Sequence, residues 1–207
     1  DWSVALHLGL AASFIFILLW QYFRMRQIEG AKWPMFSAPA KFKQSELKRL
    51  LILTGAIFLL LILGAWVSSS ANGNQGCSVG FPDGWPQCQG DFLPSLDGSG
   101  ILVQMVHRLG AGIVGIALII GGMRTREKTT GFDAHYGYSR CIDFATGFWL
   151  MNVVVGGMYV VSAKMGDFPE KLSLLHLLIG VASFLSASIG LILLQLSNEG
   201  GEGGEDE

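Results

Sequence analysis

The sequence predicts an all-α, polytopic membrane helix bundle with five transmembrane helices. Just over half of the 207 residues are hydrophobic and only 14% are charged, with a mean hydropathy of +0.46, too apolar for a soluble domain of ordinary composition. Five apolar stretches recur, each near the roughly 20 residues that carry a helix across a hydrocarbon core. Lys and Arg gather in alternate connectors, as the positive-inside rule asks of a chain with five crossings. The formal charge of −2 decides little, because the side on which each charge lies matters more than the sum.

Trp2 to Phe23 is the first span, with Trp2, Trp20 and Tyr22 near its ends as interfacial aromatics. Residues 24–49 form a basic connector with Arg24, Arg26, Lys32, Lys41, Lys43 and Lys48, broken by Pro34 and Pro39. Leu50 to Val67 is the second span. The connector over 68–100 has no Lys or Arg; it carries Asp83, Asp91, Asp97, Cys77 and Cys88 among many glycines. Ile101 to Met123 is the third span, followed by Arg124, Arg126, Lys128 and Arg140. Ile142 to Val161 is the fourth, a short turn holds Pro169, and Leu172 to Leu196 is the fifth. Residues 197–207 read as a disordered acidic tail. The chain starts at Asp1 with no visible signal peptide, which implies processing or a missing beginning.

Both basic connectors belong on the cytoplasmic side, so the N-terminus and the cysteine loop face outward and the C-terminus is cytoplasmic. A bacterial inner membrane is the expected location, with the mitochondrial inner membrane as alternative. In the outward loop an oxidising compartment would let Cys77 and Cys88 pair, while Cys141, at the inner end of the fourth span, would stay reduced. Two free cysteines remain the alternative; a metal site is disfavoured because the loop holds no His.

An ionisable side chain inside a span is expensive and marks a functional site. His107 and His176 both lie roughly 6 to 9 Å below the outer edge at about 1.5 Å per residue, and His7 sits at similar depth in the first span. His135 falls in an inner connector, outside that layer. One helical turn below the histidines come Gly110 and Ala111, Gly180, and Ala11; such small residues admit a flat macrocycle or another helix. The chemistry expected is axial ligation of a heme iron by His107 and His176, since neutral imidazole is a standard axial ligand. The alternative is helix packing alone, with each His bonded to a neighbouring carbonyl. Arg108, Lys164 and Lys171 are placed to meet a heme propionate or to act as interfacial anchors.

The first span begins LHLGLAASF and the fifth LHLLIGVASF, a faint repeat which suggests that the two are equivalent last helices of two four-helix units. The domain reading is then a first helix over 1–23, a remnant of one unit whose other three helices would precede Asp1. A cytoplasmic connector follows over 24–49, and a complete heme-binding unit occupies 50–196 with its outward loop at 68–100.

The run LGAWVSSSANGNQGCSVGFPDGWPQC (63–88), then VHRLGAG (106–112), then LHLLIG around His176, resembles the C-terminal half of heme A synthase, a membrane enzyme of cytochrome oxidase biogenesis that oxidises a methyl group of heme O to the formyl of heme A. The resemblance covers 50–196 and extends to the first span as the last helix of the preceding half. It implies a heme b with His107 and His176 as axial ligands, a loop disulfide between Cys77 and Cys88, and a second heme, heme O or heme A, near His7. Gln104 stands where the other half of the family carries a glutamate three residues before its histidine, and Ser68 where the family has an arginine, so no catalytic residue is assigned. The alternative function is a non-catalytic b-type cytochrome or a structural heme-binding subunit of a larger respiratory membrane complex. The expected partners are membrane lipid, heme, and further membrane subunits or a second copy of the chain; no nucleic acid is expected.

Overall fold

The computed structural model describes residues 2–30, 40–70, 73–129, 136–164 and 166–197. His135 and nearly all of the acidic tail lie outside these described residues. The chain forms five helices: α1 (Trp2–Ile28), α2 (Ala40–Ser69), α3 (Ser99–Thr129), α4 (Tyr136–Val161) and α5 (Glu170–Leu196). All five are long and apolar enough to cross a membrane. At about 1.5 Å per residue each is near 40 Å long, more than the roughly 30 Å hydrocarbon core needs, so every helix outruns its apolar stretch. The largest excess is in α2, which starts at Ala40 inside the segment read as connector. A helix satisfies its own backbone, so it continues past the lipid wherever the side chains allow.

Helices α2, α3, α4 and α5 close a ring in that order, because α2 packs on α3, α3 on α4, α4 on α5 and α5 back on α2. The diagonal pairs do not pack closely. Helix α1 lies outside the ring, against the seam of α2 and α5. It turns a stripe of Ala5, Gly9, Ala12 and Phe23 inward, and Gly9 lets Ile62 of α2 come so near that a Cβ there would stand 3.1 Å from its Cδ1. The ring's core is built by Leu53, Ile57, Leu61, Val114, Leu118, Trp149 and Phe184. A second cluster at the far end gathers Phe23, Leu50, Tyr138, Ile142 and Leu191 to Leu194.

That far end also buries charge. Glu46 is 2% exposed and pairs with Arg49 one turn on. Arg49 donates to the hydroxyl of Thr125 across to α3, and that hydroxyl donates to the Gly121 carbonyl at 2.9 Å. Glu46 and Arg49 of α2 are therefore part of the bundle rather than of a free connector.

Candidate functional site

His107 on α3 and His176 on α5 face each other across the ring's diagonal. Their ring centroids are 6.5 Å apart and their planes cross at 76°. One metal ion held by two imidazole nitrogens at about 2 Å, with each centroid about 1 Å further on, sets centroids about 6 Å apart. The described pair has that spacing. His176 Nδ1 lies 3.0 Å from the backbone carbonyl of Asn152; a carbonyl can only accept, so Nδ1 carries the proton and Nε2 keeps its lone pair for a ligand. His107 Nδ1 is buried without a hydrogen-bond partner, an orphan of the kind that buried polar atoms rarely are. The residues present fit a bis-histidine heme.

Each imidazole is seated on a glycine of the other diagonal. A Cβ at Gly64 of α2 would stand 3.0 Å from His107 Cε1, and one at Gly156 of α4 would stand 2.9 Å from His176 Cε1. The small residues one turn below the histidines play a different part. A Cβ at Gly110 would meet Leu60 at 2.8 Å, and one at Gly180 would meet Leu61 at 3.0 Å and Asn152 at 3.3 Å. That space is filled by side chains of α2 and α4, so these positions admit a neighbouring helix rather than a macrocycle. Trp149 closes the same level by donating its indole N–H to the Ala111 carbonyl at 3.0 Å.

The loop between α2 and α3 folds over this end of the ring. Arg108 donates from one guanidinium nitrogen to the carbonyls of Gly84 (2.8 Å) and Gln87 (2.9 Å), and from the other to Gln104 Oε1 (3.0 Å). Gln104 passes the link on, donating to the Gly73 carbonyl at 2.7 Å. Trp85 lies flat on α4, where a Cβ at Gly157 would stand 2.9 Å from its ring, and the Gly80 amide donates to the Val160 carbonyl at 3.2 Å. Cys77 and Cys88 are joined at a Cα separation of 4.8 Å and buried beside Met105. Among the described residues no group of three or more His, Cys, Asp or Glu could hold a bare metal ion.

A family model described as cytochrome oxidase assembly protein matches residues 1–188. The chain belongs to this heme A synthase family. The curated heme A synthase of Symbiobacterium thermophilum is 29% identical over 144 residues, covering 68% of this chain and 42% of the relative. That of Lysinibacillus sphaericus is 27% identical over 126 residues, covering 61% and 38%, and that of Bacillus cereus (strain AH187) 30% identical over 77 residues, covering 37% and 24%. The chain thus spans less than half the length of these curated relatives. No solved structure matches it.

In this heme A synthase family member His7 does not join the histidine pair. It is exposed on the face of α1 turned away from the ring, while its level is theirs: Trp2 stacks on Trp66 (centroids 4.7 Å apart), Gly9 meets Ile62, and Gly64 between them meets His107. Gly64, Gly156 and Asn152 escaped the sequence reading. The signals were there, in a Gly-Gly pair within an apolar span and in a lone Asn at membrane depth.

Proposed function

We propose that this chain is the heme b-holding half of a heme A synthase and acts in the oxidation of heme O to heme A for cytochrome oxidase. The observation that carries it is the His107 and His176 pair, 6.5 Å apart across the ring, with the His176 tautomer set by the Asn152 carbonyl. His107 and His176 would be the axial ligands, with Gly64 and Gly156 giving the rings their seats. A heme bound there supplies one-electron redox chemistry, while the protein positions it and tunes its potential. Arg108 has N–H donors beyond the three it gives to the loop and Gln104, and these serve a propionate. The loop, pinned by Arg108 and Trp85, keeps water from the outer side. His7, at the same level on the opposite face of α1, belongs to a second site for heme O or heme A. The loop faces the outside of a bacterial or mitochondrial inner membrane, with Arg24, Arg26, Arg124 and Arg126 on the inner side.

Reduced-minus-oxidised spectra of the purified chain supplied with heme test this reading. The expected result is b-type bands that vanish in His107→Ala and in His176→Ala while helix content is kept; an unaltered chain without such bands overturns it.

Gln104 favours a second reading, a b-type cytochrome that only transfers electrons within a larger membrane complex. Its amide is committed to Gly73 and Arg108, which leaves no ionisable group at that point. Conversion of heme O to heme A by the chain with its membrane partners selects the synthase; b-type bands without product select the cytochrome.

A further inference from the structure

A different site lies on the other side of α2, where α1, α2 and α5 meet. Their side chains do not close on one another there, and a slot of about 320 Å³ remains, lined by Ser13, Phe16, Thr54, Gly55, Phe58 and Phe184 among others. Gly55 is one source of the room, since no atom stands within 4 Å of the place its Cβ would take. The slot is apolar with one exception. Thr54 is 5% exposed and its hydroxyl has no hydrogen-bond partner, although a helical threonine can donate to the carbonyl one turn back. The nearby Ser13 hydroxyl is already committed to the Gly9 carbonyl at 2.8 Å.

Leu51 lines this slot and also a second hollow that runs along Gln44, Ser45, Leu47 and Lys48 toward the end of α2. The two therefore lie along one stripe of α2, an apolar slot at one end and polar, cationic residues at the other. From Phe58 to Lys48 the helix rises about 15 Å, half of a hydrocarbon core and hence the depth of one leaflet. Thr54 sits about 9 Å deeper than Lys48. A single hydrocarbon chain fits here.

We infer that this groove binds one anionic phospholipid of the adjacent leaflet. The phosphate lies at Lys48, with Gln44 and Ser45 as polar neighbours, and one acyl chain runs down the slot between Phe16, Phe58 and Phe184. Lys48 supplies the charge complementarity; Glu46, the nearest acid on its own helix, is turned inward and paired with Arg49. The site stands apart from the histidine pair and does not rest on the heme reading.

Native mass spectrometry of the chain released from nanodiscs of equal phosphatidylglycerol and phosphatidylethanolamine tests it. The expected result is one phosphatidylglycerol retained per chain. Gly55→Leu fills the slot and also replaces a glycine by a better helix former, so the fold is kept while retained lipid falls at least about fivefold. Lys48→Gln lowers the preference for phosphatidylglycerol about fivefold, the effect of one cationic side chain near an anionic headgroup. Gly112→Leu, on an exposed face of α3 with open space around it, leaves retention unchanged. The inference is overturned if Gly55→Leu retains the lipid, if Gly112→Leu loses it equally, if Lys48→Gln leaves the preference intact, or if the retained molecule is a neutral amphiphile such as a quinone.

Discussion

Gly156→Ala is the sharpest perturbation of the histidine pair, because it adds one methyl group at a known place. Its Cβ would stand 2.9 Å from Cε1 and 3.1 Å from Nδ1 of His176, against an ordinary contact of about 3.5 to 4.0 Å between carbon atoms. The imidazole has to retreat by roughly 0.5 to 1 Å, which stretches its 3.0 Å hydrogen bond to the Asn152 carbonyl past the useful range. Losing that bond costs about 1 kcal/mol, and the remaining overpacking adds about 1 kcal/mol or more. A ligand whose orienting partner is lost binds its metal about 10 to 100 times more weakly, which agrees with a total near 2 kcal/mol. The assay is titration of the heme-free chain with hemin, followed by absorbance. Gly112→Ala is the control, since its Cβ meets nothing within 4 Å. Equal hemin affinity for Gly156→Ala and the unaltered chain would refute both the seat and the ligand role of His176.

Three further outcomes are expected. Arg108→Met leaves the Gly84 and Gln87 carbonyls without their charged donor, each such bond contributing about 1.5 to 3 kcal/mol, so amides of the loop between α2 and α3 exchange hydrogen at least about tenfold faster; unchanged exchange rejects the latch. Alkylation of the denatured chain before reduction modifies one cysteine, Cys141, and after reduction three; three from the outset means that Cys77 and Cys88 are not joined. A cysteine placed at Lys164 of a Cys141→Ser variant reacts with an impermeant maleimide from outside the cell and one placed at Arg124 does not, and the reverse pattern inverts the orientation.

The five helices were legible because lipid leaves the chain few options: a spanning segment must be long, apolar and internally hydrogen-bonded. Their ends were not, since that constraint stops at the headgroups. Residues 40–49 look like connector by charge, yet Glu46 and Arg49 neutralise each other inside the bundle, a pairing visible in sequence only as an i,i+3 spacing. The shared level of His107 and His176 was legible from simple rise per residue. Which way each histidine points was less so, because depth carries no azimuth: His7 shares their level but sits on the far side of α1. Facing is decided by contacts such as Gly9 on Ile62 and Gly180 on Leu61, and one apolar residue resembles another until the partner helix is known. Arg108 neighbours His107 in the sequence, while its loop carbonyls, about twenty residues back in the chain, could not be found by spacing alone.

The ring divides its labour by diagonals, with imidazoles on α3 and α5 and their glycine seats on α2 and α4. No single helix, and no adjacent pair, holds either the whole of the grip or the whole of the space. A ligand clasped between the two histidines would act as a crossbrace, since drawing any one of the four helices outward would either withdraw a ligating nitrogen or take away the surface behind it. Occupancy of the centre and integrity of the loop-covered half of the bundle would thereby become one cooperative event, and the bundle is expected to loosen first at that end when the centre is emptied.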